Sequence, residues 1–393
     1  MRKEREILSR IFIIGGLCAV SFFALTGFVG KVLAAGEFKI GFFNEMTGPA
    51  ALFGPTARGA ASLAADQVNS SGGILGKQVK IIFADGGKPP AEAAKSAMGL
   101  MLNEKVDFFM GSHNSAVREA LVATIKGKTP YVYTPVYEGG ECSPNVYVLA
   151  DTPRQQIGIA IPWLIKKFNV KNWYFIGNDY VWPHTLNKQA QEYIATEGGK
   201  VIGEEYVPWG APNIYEEVVT RIKGLKPDAV FITLVGSDNV NFNRAFGGFG
   251  LDKDILRMQG LLEENTLIGI GAENSKNMYA CSSYNANIKS EANEKFKADF
   301  SRKFSGKPPQ LSVLGEDSYC GVKFIQALVK KAGSTQANKL LAASEGLTYE
   351  TPGGPCTMYG RHAEKNMYLT VCKGVEFEVL QKFEKVRSET ACK

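Results

Sequence analysis

The stretch DFFMGSHNSAVREALVATI, residues 107–125, contains the structural unit that the rest of the chain repeats. Asp107–Met110 is a short apolar run typical of a buried strand, and Ser115–Ile125 has the apolar spacing of a helix. A strand that leads directly into a helix is half of a βαβ unit, in which consecutive strands run parallel in one sheet.

The same alternation extends outward from this stretch in both directions. Further strands are predicted at Phe38–Phe43, Val79–Phe83, Tyr131–Tyr133, Trp173–Ile176, Lys200–Val207, Ala229–Leu234 and Met278–Ser282. Further helices are predicted over 57–68, Ala91–Leu102, Gln155–Phe168, Leu186–Thr196, Tyr215–Ile222, Val240–Phe249, Glu291–Phe304 and Asp317–Ala332. The pattern predicts an α/β protein with parallel sheets.

The length and order of these elements predict two lobes. A chain of 393 residues is too long for one core, and the alternation starts again after residues 151–153. The last third has too few strands for its own core, so it is expected to complete the other two. The predicted fold is a clamshell of two Rossmann-like parallel-sheet lobes joined by three hinge crossovers. The crossovers are expected near 151–153, 280–284 and 344–352, with lobe 1 at 35–152 plus 281–345 and lobe 2 at 153–280 plus 346–393.

Half of the net charge of +6 lies in residues 1–34, which contribute +3. A basic head (Met1–Arg10), an uncharged run (Ile11–Val29) and small residues up to Ala34 and Ala35 are the three parts of a secretory signal peptide. We expect a periplasmic protein cleaved near Ala34 or Ala35, the alternative being an uncleaved anchor. No stable membrane insertion is expected after cleavage, because no later stretch reaches the length of a membrane span.

Six cysteines follow this segment, as expected for an exported protein, and none has CxxC spacing. Residues 356–359 and 367–372 are predicted to be strands around a polar loop, Gly360–Asn366. A symmetric hairpin would place Cys356 opposite Cys372, so a disulfide between them is predicted. The alternative is two buried free thiols.

Catalytic, metal and nucleic-acid functions have little support in the sequence. His113, His184 and His362 are far apart, and there is no HExxH, GxSxG, Walker or GxGxxG motif in the required context. No metal and no cofactor are expected, and the protein is not expected to be an enzyme. The basic residues are scattered, whereas phosphate contacts require clusters, so nucleic-acid binding is not expected.

The turn from residue 110 to 116 is a candidate ligand site. Ligands of parallel α/β sheets bind outside the carboxyl ends of the strands, where this turn lies. His113, Asn114 and Ser115 are therefore candidate ligand-binding residues. Ser115 as N-cap would leave first-turn N–H groups for a ligand oxygen. The alternatives are that Ser115 only caps its helix, or that Asn114 caps it and frees Ser115.

Aromatic residues follow the matching strands. Tyr133 and Thr134 end the next strand on the same edge, and Tyr180 and Trp182 occupy the corresponding turn of the second lobe. Aromatic rings supply contact area at low entropic cost, so these residues are expected to form walls of the cleft. The alternative is that one or two of them, Trp182 in particular, belong to a lobe core.

Several stretches resemble those of a known family, and the resemblance extends over nearly the whole mature chain. FKIG (38–41) with MTGP (46–49), and DQVNSSGGILGK (66–77), are similar to the Leu/Ile/Val-binding receptors of ABC importers, the type I periplasmic solute-binding proteins. YEGGECSPN (137–145) and GNDYVWP (177–183) resemble the amide- and urea-binding branch of that family.

The resemblance implies a role for particular residues and a membrane partner. The hydroxyl residue that matches Ser115 binds a ligand oxygen in the family, and Tyr133 and Tyr180 match aromatic pocket positions. An acidic residue of the second lobe holds the ligand ammonium in family amino-acid receptors. The aligned position here is Gly260, and Glu263 is the nearest candidate.

The expected function is capture of a small-molecule ligand, a branched-chain or other hydrophobic amino acid, for the membrane permease of an ABC importer. The alternatives are a receptor for a short amide, urea or small aromatic carboxylate, or a ligand sensor of the same fold with a regulatory partner. An exported enzyme is a third possibility, which would need a polar cluster in the cleft.

Overall fold

The computed structural model of the protein describes residues 36–211, 214–390 and 392. The strands are β1 Glu37–Asn44, β2 Gln78–Asp85, β3 Phe108–Ser112, β4 Tyr131–Tyr133, β5 Val146–Val148, β6 Asn172–Asn178, β7 Lys200–Val207, β8 Ala229–Thr233, β9 Leu256–Gln259, β10 Met278–Ser282, β11 Thr348–Thr351, β12 Gly354–Tyr359, β13 His362–Lys373 and β14 Glu376–Val386. The helices are α1 Gly54–Ser70, α2 Pro90–Gly99, α3 Ser115–Ile125, α4 Pro153–Phe168, α5 Val181–Thr196, α6 Tyr215–Leu225, α7 Ser237–Gly248, α8 Glu264–Ile270, α9 Glu291–Lys303, α10 Val313–Ala332 and α11 Ala337–Ser344.

The sheet consists of two parallel halves with the same strand order. The first half is β2-β1-β3-β4-β5, and the second is β7-β6-β8-β9-β10. Each half thus repeats the 2-1-3-4-5 order of a doubly wound α/β fold. This confirms the predicted fold class, an α/β protein built from repeated parallel units.

Both faces of the sheet are buried, as is usual for parallel strands between helices. In β1, Phe38, Ile40 and Phe42 pack with α1 and α10, whereas Phe43 faces α2 and α3 on the other side. The second half is built in the same way, with Trp173 and Ile176 of β6 in separate clusters. This double burial holds the strand ends, and the turns after them, in fixed positions.

The C-terminal third joins the two halves. The long strand β13 contacts β5 at His362 and Val148, and it runs antiparallel to β10 from Tyr368 to Val371. β11 and β12 pack with the core of the first half, while β14 pairs along β13. The lobe boundaries assigned from the sequence stay a prediction.

A buried ionic cluster lies where the chain passes between the halves. Lys365 Nζ lies 2.7 Å from Asp151 Oδ1 and 3.5 Å from an oxygen of Asp317, and it donates to Ser283 Oγ at 3.1 Å. Asp151 also accepts the N–H of Ser283 at 2.9 Å. These contacts connect the predicted crossovers near 151–153 and 280–284 to β13.

The predicted Cys356–Cys372 disulfide is wrong. Both thiols are free and buried, and the structure instead pairs Cys142 with Cys392. The hairpin turns tightly at residues 360–361, because Tyr359 pairs with His362 and Thr357 with Glu364. Cys356 therefore does not face Cys372, which pairs with Phe377 of β14.

Two expectations from the sequence concern membrane spans and metal sites. No helix among them has both the length and the apolar character needed to cross a membrane. They also contain no group of three or more His, Cys, Asp or Glu side chains arranged to hold a metal ion. The predicted signal peptide, residues 1–34, lies outside the described residues.

Candidate functional site

A pocket lies where the carboxyl ends of strands from both halves of the sheet meet. Its empty volume, which includes space open to solvent, is about 410 Å³. The lining is mostly apolar and aromatic. It consists of Glu45, Phe53, Ser112, His113, Asn114, Ser115, Pro135, Val136, Tyr180, Trp182, Trp209, Val235, Leu261 and Leu314.

The start of α3 forms one wall of this pocket. Asn114 is the N-cap, because its Oδ1 accepts the N–H of Val117 at 3.0 Å. Ser115 is the first helical residue and is buried, and its hydroxyl donates to Glu138 Oε2 at 2.6 Å. Of the arrangements open from the sequence, the structure has the one in which Asn114 caps the helix. The Ser115 hydroxyl, however, already has a partner within the protein.

His113 lies beside Asn114 in the same wall and is neutral. Burial, together with the positive charge of Arg118, lowers its pKa to about 4. Nδ1 lies 3.0 Å from the carbonyl oxygen of Asn114, and Nε2 lies 2.8 Å from the hydroxyl of Tyr131. These contacts fit a ring with its proton on Nδ1, which leaves no free ring nitrogen for a ligand.

Glu45, directly after β1, is the acidic group of the pocket. It is only 5% exposed, and burial raises its pKa to about 7, with a further contribution from the negative charge of Asp85. The backbone N–H and side-chain amide of Asn114 both donate to Oε1, at 3.1 and 3.3 Å. No other described residue donates to Glu45, so Oε2 has no donor among them.

Three aromatic residues form the opposite wall. The ring centroids of Tyr180 and Trp209 lie 4.6 Å apart, and those of Tyr180 and Trp182 lie 6.2 Å apart. The indole Nε1 atoms of Trp182 and Trp209 are buried without an acceptor in the described structure. Burial raises the pKa of Tyr180 well above its usual value, so its hydroxyl stays protonated.

Two of the predicted site residues lie behind the pocket wall. Tyr133 is fully buried and donates to the carbonyl oxygen of His113 at 2.7 Å, and Thr134 donates to the carbonyl oxygen of Gly111 at 3.1 Å. Neither lines the pocket. Both residues fix the 111–113 turn, so the structure gives them a supporting position.

Glu263 also lies outside the pocket. It is the N-cap of α8, and its carboxylate accepts the N–H groups of Asn265 and Thr266 at 2.9 and 2.6 Å. The side chains of the same two residues donate to it at 2.7 Å each. Since these four donors use both oxygens, the contact with a ligand ammonium expected from the resemblance does not fit this geometry.

The cation behind the α3 wall is paired with carboxylates of the protein itself. Arg118 lies 2.9 Å from Glu138 and 3.3 Å from Glu141, and all three side chains are buried. None of the described residues that line the pocket is Lys or Arg. The lining therefore offers an acidic group but no cationic side chain to a ligand.

Several residues that line the pocket were not predicted from the sequence, although for some of them the sequence contained an indication. Glu45 follows β1, as the 111–115 turn follows β3, so the rule about carboxyl strand ends would have included it. Trp209 follows β7 in the same way. Phe53 and Leu314 come from a short 3₁₀ turn and from α10, and no local pattern associates them with a strand end.

Comparison with known proteins gives a consistent set of relatives. The chain is 22% identical over 347 residues to Leu/Ile/Val-binding protein homolog 3 of Brucella melitensis, covering 87% of this chain and 92% of that protein. It is also 22% identical over 375 residues to the leucine-, isoleucine-, valine-, threonine- and alanine-binding protein of Pseudomonas aeruginosa, covering 94% of this chain and 96% of that protein.

Solved structures share the fold. An ABC-transporter solute-binding protein from Rhodopseudomonas palustris BisB5, in complex with 3,4-dihydroxybenzoic acid, has a TM-score of 0.79 at 23% identity, covering 90% and 99% of the two chains. A branched-chain amino-acid transporter substrate-binding protein from Streptococcus pneumoniae, in complex with isoleucine, has a TM-score of 0.75 at 21% identity, covering 90% and 100%.

A family model matches most of the chain. The model described as periplasmic binding protein matches residues 37–376, which include the whole described pocket. The name of the family implies export to the periplasm and binding of a solute, in agreement with the expectation from the sequence. This chain belongs to the periplasmic binding protein family.

Proposed function

We propose that this protein is the substrate-binding component of an ABC importer and captures a branched-chain or other hydrophobic amino acid. The observation that carries the proposal is the pocket itself, in which strand ends from both halves of the sheet surround an apolar space with one acidic group. The names of the Brucella and Pseudomonas relatives support this ligand class.

Closure of the two halves over the ligand would supply the binding energy. Phe53, Val235, Leu261 and Leu314 offer apolar surface to an aliphatic side chain. Each Å² of apolar surface removed from water contributes about 25 cal/mol. We propose that the closed form, after removal of the signal peptide, delivers the ligand to a membrane permease and performs no chemical reaction on it.

A small aromatic carboxylate is the second candidate ligand. The wall of Tyr180, Trp182 and Trp209 is suited to an aromatic ring, because offset and edge-to-face contacts add to the buried area. The Rhodopseudomonas palustris neighbours in complex with 3,4-dihydroxybenzoic acid and 4-hydroxybenzoate support this candidate.

Calorimetric titration of the mature protein distinguishes the two candidates. Leucine, isoleucine and valine are compared with benzoate and 4-hydroxybenzoate, with glucose as a control for non-specific effects. The first candidate predicts saturable binding of an aliphatic amino acid, in the micromolar range or tighter. Saturable binding of the benzoates alone would select the second, and binding of neither group would refute both.

A further inference from the structure

We propose that Glu45 selects the ligand by charge, its free Oε2 accepting a hydrogen bond from an ammonium group of the bound solute. The inference rests on the proposed function and specifies it further. It moves the ammonium site from the second half of the sheet, where the resemblance placed it, to the end of β1. It also disfavours ligands whose only charged group is a carboxylate.

The first support is that polar groups at the α3 wall already have hydrogen-bond partners within the protein. The Ser115 hydroxyl donates to Glu138, and the N–H of Asn114 donates to Glu45. The Ser115 hydroxyl was expected to meet a ligand oxygen, and both it and the Asn114 N–H already meet a carboxylate of the protein. At this wall an incoming carboxylate would have to displace one of these contacts, whereas the indole N–H groups of Trp182 and Trp209 have no acceptor in the described structure.

The second support is the geometry of Glu45. Asn114 holds Oε1 with two hydrogen bonds, which fixes the carboxyl group in one orientation. Oε2 has no described donor, although the residue lines the pocket and is 5% exposed. An acceptor without a partner in the protein is available to a donor on the ligand.

The third support is the charge around the pocket. The groups that act on Glu45 are Asp85 at the end of β2, Asn114, and the hydroxyls of Tyr133 and Tyr180, which remain protonated. His113 is neutral, and Arg118 is paired with Glu138 and Glu141. An ionised Glu45 therefore has no cation beside it in the described structure, and a ligand ammonium would supply one.

Three ligands of one shape test the charge requirement: leucine, 3-methylbutan-1-amine, which lacks the carboxylate, and 4-methylpentanoate, which lacks the ammonium. Titration at pH 8 compares the wild type with Glu45→Gln, which keeps the size of the side chain but removes its charge. Glu263→Gln is the matched control, since it alters a buried glutamate outside the pocket. Thermal unfolding establishes that each variant is folded.

The inference predicts that Glu45→Gln weakens leucine or amine binding at least tenfold, whereas Glu263→Gln changes it less than twofold. Wild-type affinity for the ammonium ligand rises between pH 5.5 and 8 as Glu45 ionises, and the dependence disappears in Glu45→Gln. 4-Methylpentanoate binds the wild type more weakly than leucine does.

Four results would contradict the inference, the proposed function or both. Leucine affinity unchanged in Glu45→Gln overturns the inference but leaves the proposed function intact. Carboxylate binding that tightens below pH 7 would mean that protonated Glu45 donates to the ligand, which also overturns the inference. Binding of the amine without leucine supports the inference and refutes the amino-acid ligand, while absence of all binding refutes both.

Discussion

The backbone N–H of Ser237 donates to the carbonyl oxygen of Pro49 at 3.0 Å, and this contact joins the two halves of the sheet beside the pocket. Pro49 follows β1 in the first half, and Ser237 is the first residue of α7 in the second. Gly236 precedes Ser237 with φ of +60°, and a side chain there would collide with the Pro49 carbonyl. The approach of the two segments thus depends on a residue without a Cβ.

Replacement of Ser237 by proline is expected to weaken ligand binding without disrupting α7. Proline is tolerated at the first position of a helix, but it removes the N–H and places ring atoms against the Pro49 oxygen. Loss of one backbone hydrogen bond corresponds to about 0.5–1.5 kcal/mol, or about a 2- to 12-fold rise in Kd. Calorimetric titration measures this change.

Ser237→Ala is the matched control, because it retains the backbone N–H. Its affinity should equal that of the wild type. Equal affinity in Ser237→Pro as well would show that this contact does not contribute to closure.

Gly111 is expected to tolerate no side chain. A Cβ there would lie 2.5 Å from His113 Nε2 and 2.5 Å from the hydroxyl of Tyr131; both residues are buried, and His113 lines the pocket. Overpacking of this kind costs about 1–3 kcal/mol, so Gly111→Ala should lower both stability and ligand affinity. Chemical denaturation and titration measure the two effects.

Gly99→Ala is the contrasting variant, because Gly99 lies in helix α2 beside the same half of the sheet and its added Cβ meets no obstacle. Gly99 is helical, and no atom lies within 4 Å of an added Cβ. Alanine should stabilise the helix by up to about 1 kcal/mol. If both alanine variants had the same stability, the packing argument for Gly111 would fail.

Local sequence patterns were enough to predict the repeated strand–helix units. The predicted bounds of Ser115–Ile125, Tyr131–Tyr133, Lys200–Val207 and Met278–Ser282 match the structure, because their apolar patterns are set by neighbouring residues. β9 was missed because Arg257 interrupts its apolar run, and this arginine is fully buried.

Features that depend on distant residues could not be predicted in this way. β14 is mostly exposed and has no clear alternation, so only its pairing with β13 identifies it. The partner of Cys142 is 250 residues away. At the site, strand ends indicated the correct edge of the sheet, but side-chain direction decided that Glu45 lines the pocket while Tyr133 supports it.

Lys365→Met is expected to destabilise the protein by about 3–5 kcal/mol, because it leaves the buried carboxylate of Asp151 without its cation. Lys382→Met is the control. Lys382 also lies 2.7 Å from a carboxylate, that of Glu384, but both side chains are exposed, so its loss should cost under about 1 kcal/mol. Urea denaturation compares the two, and similar losses would contradict the role given to burial.

The Cys142–Cys392 disulfide should fix the C-terminal segment against the loop that precedes α4. Beside it, Thr390 Oγ1 accepts the N–H of Gly140 at 3.0 Å, and Glu389 accepts the hydroxyl of Thr152 at 2.6 Å. Loss of a native disulfide costs about 2–5 kcal/mol. The Cys142→Ser/Cys392→Ser double variant should therefore melt earlier, with faster hydrogen exchange at residues 387–390.

Mass spectrometry under non-reducing conditions tests the pairing itself. A linked peptide pair containing Cys142 and Cys392 is expected, with Cys356 and Cys372 alkylated once the protein is unfolded. A linked pair of Cys356 with Cys372 would contradict the structure.

His362 should make stability fall in mild acid. It is buried, and its Nε2 accepts the hydroxyl of Tyr137 at 2.6 Å. Burial and the positive charge of Arg361 lower its pKa to about 4. Between about pH 6.5 and 4 the unfolded state therefore binds more protons than the folded state, so this contribution is present above pH 6.5 and is lost as the pH falls through that range.

The comparison with His362→Gln isolates this contribution, since glutamine cannot titrate. The stability advantage of the wild type over the variant should shrink by up to about 3 kcal/mol between pH 7 and pH 4. Denaturation curves at several pH values provide the difference. A difference that stays constant over this range would mean that the pKa of His362 is the same in the folded and the unfolded protein, and the effect ascribed to burial would be refuted.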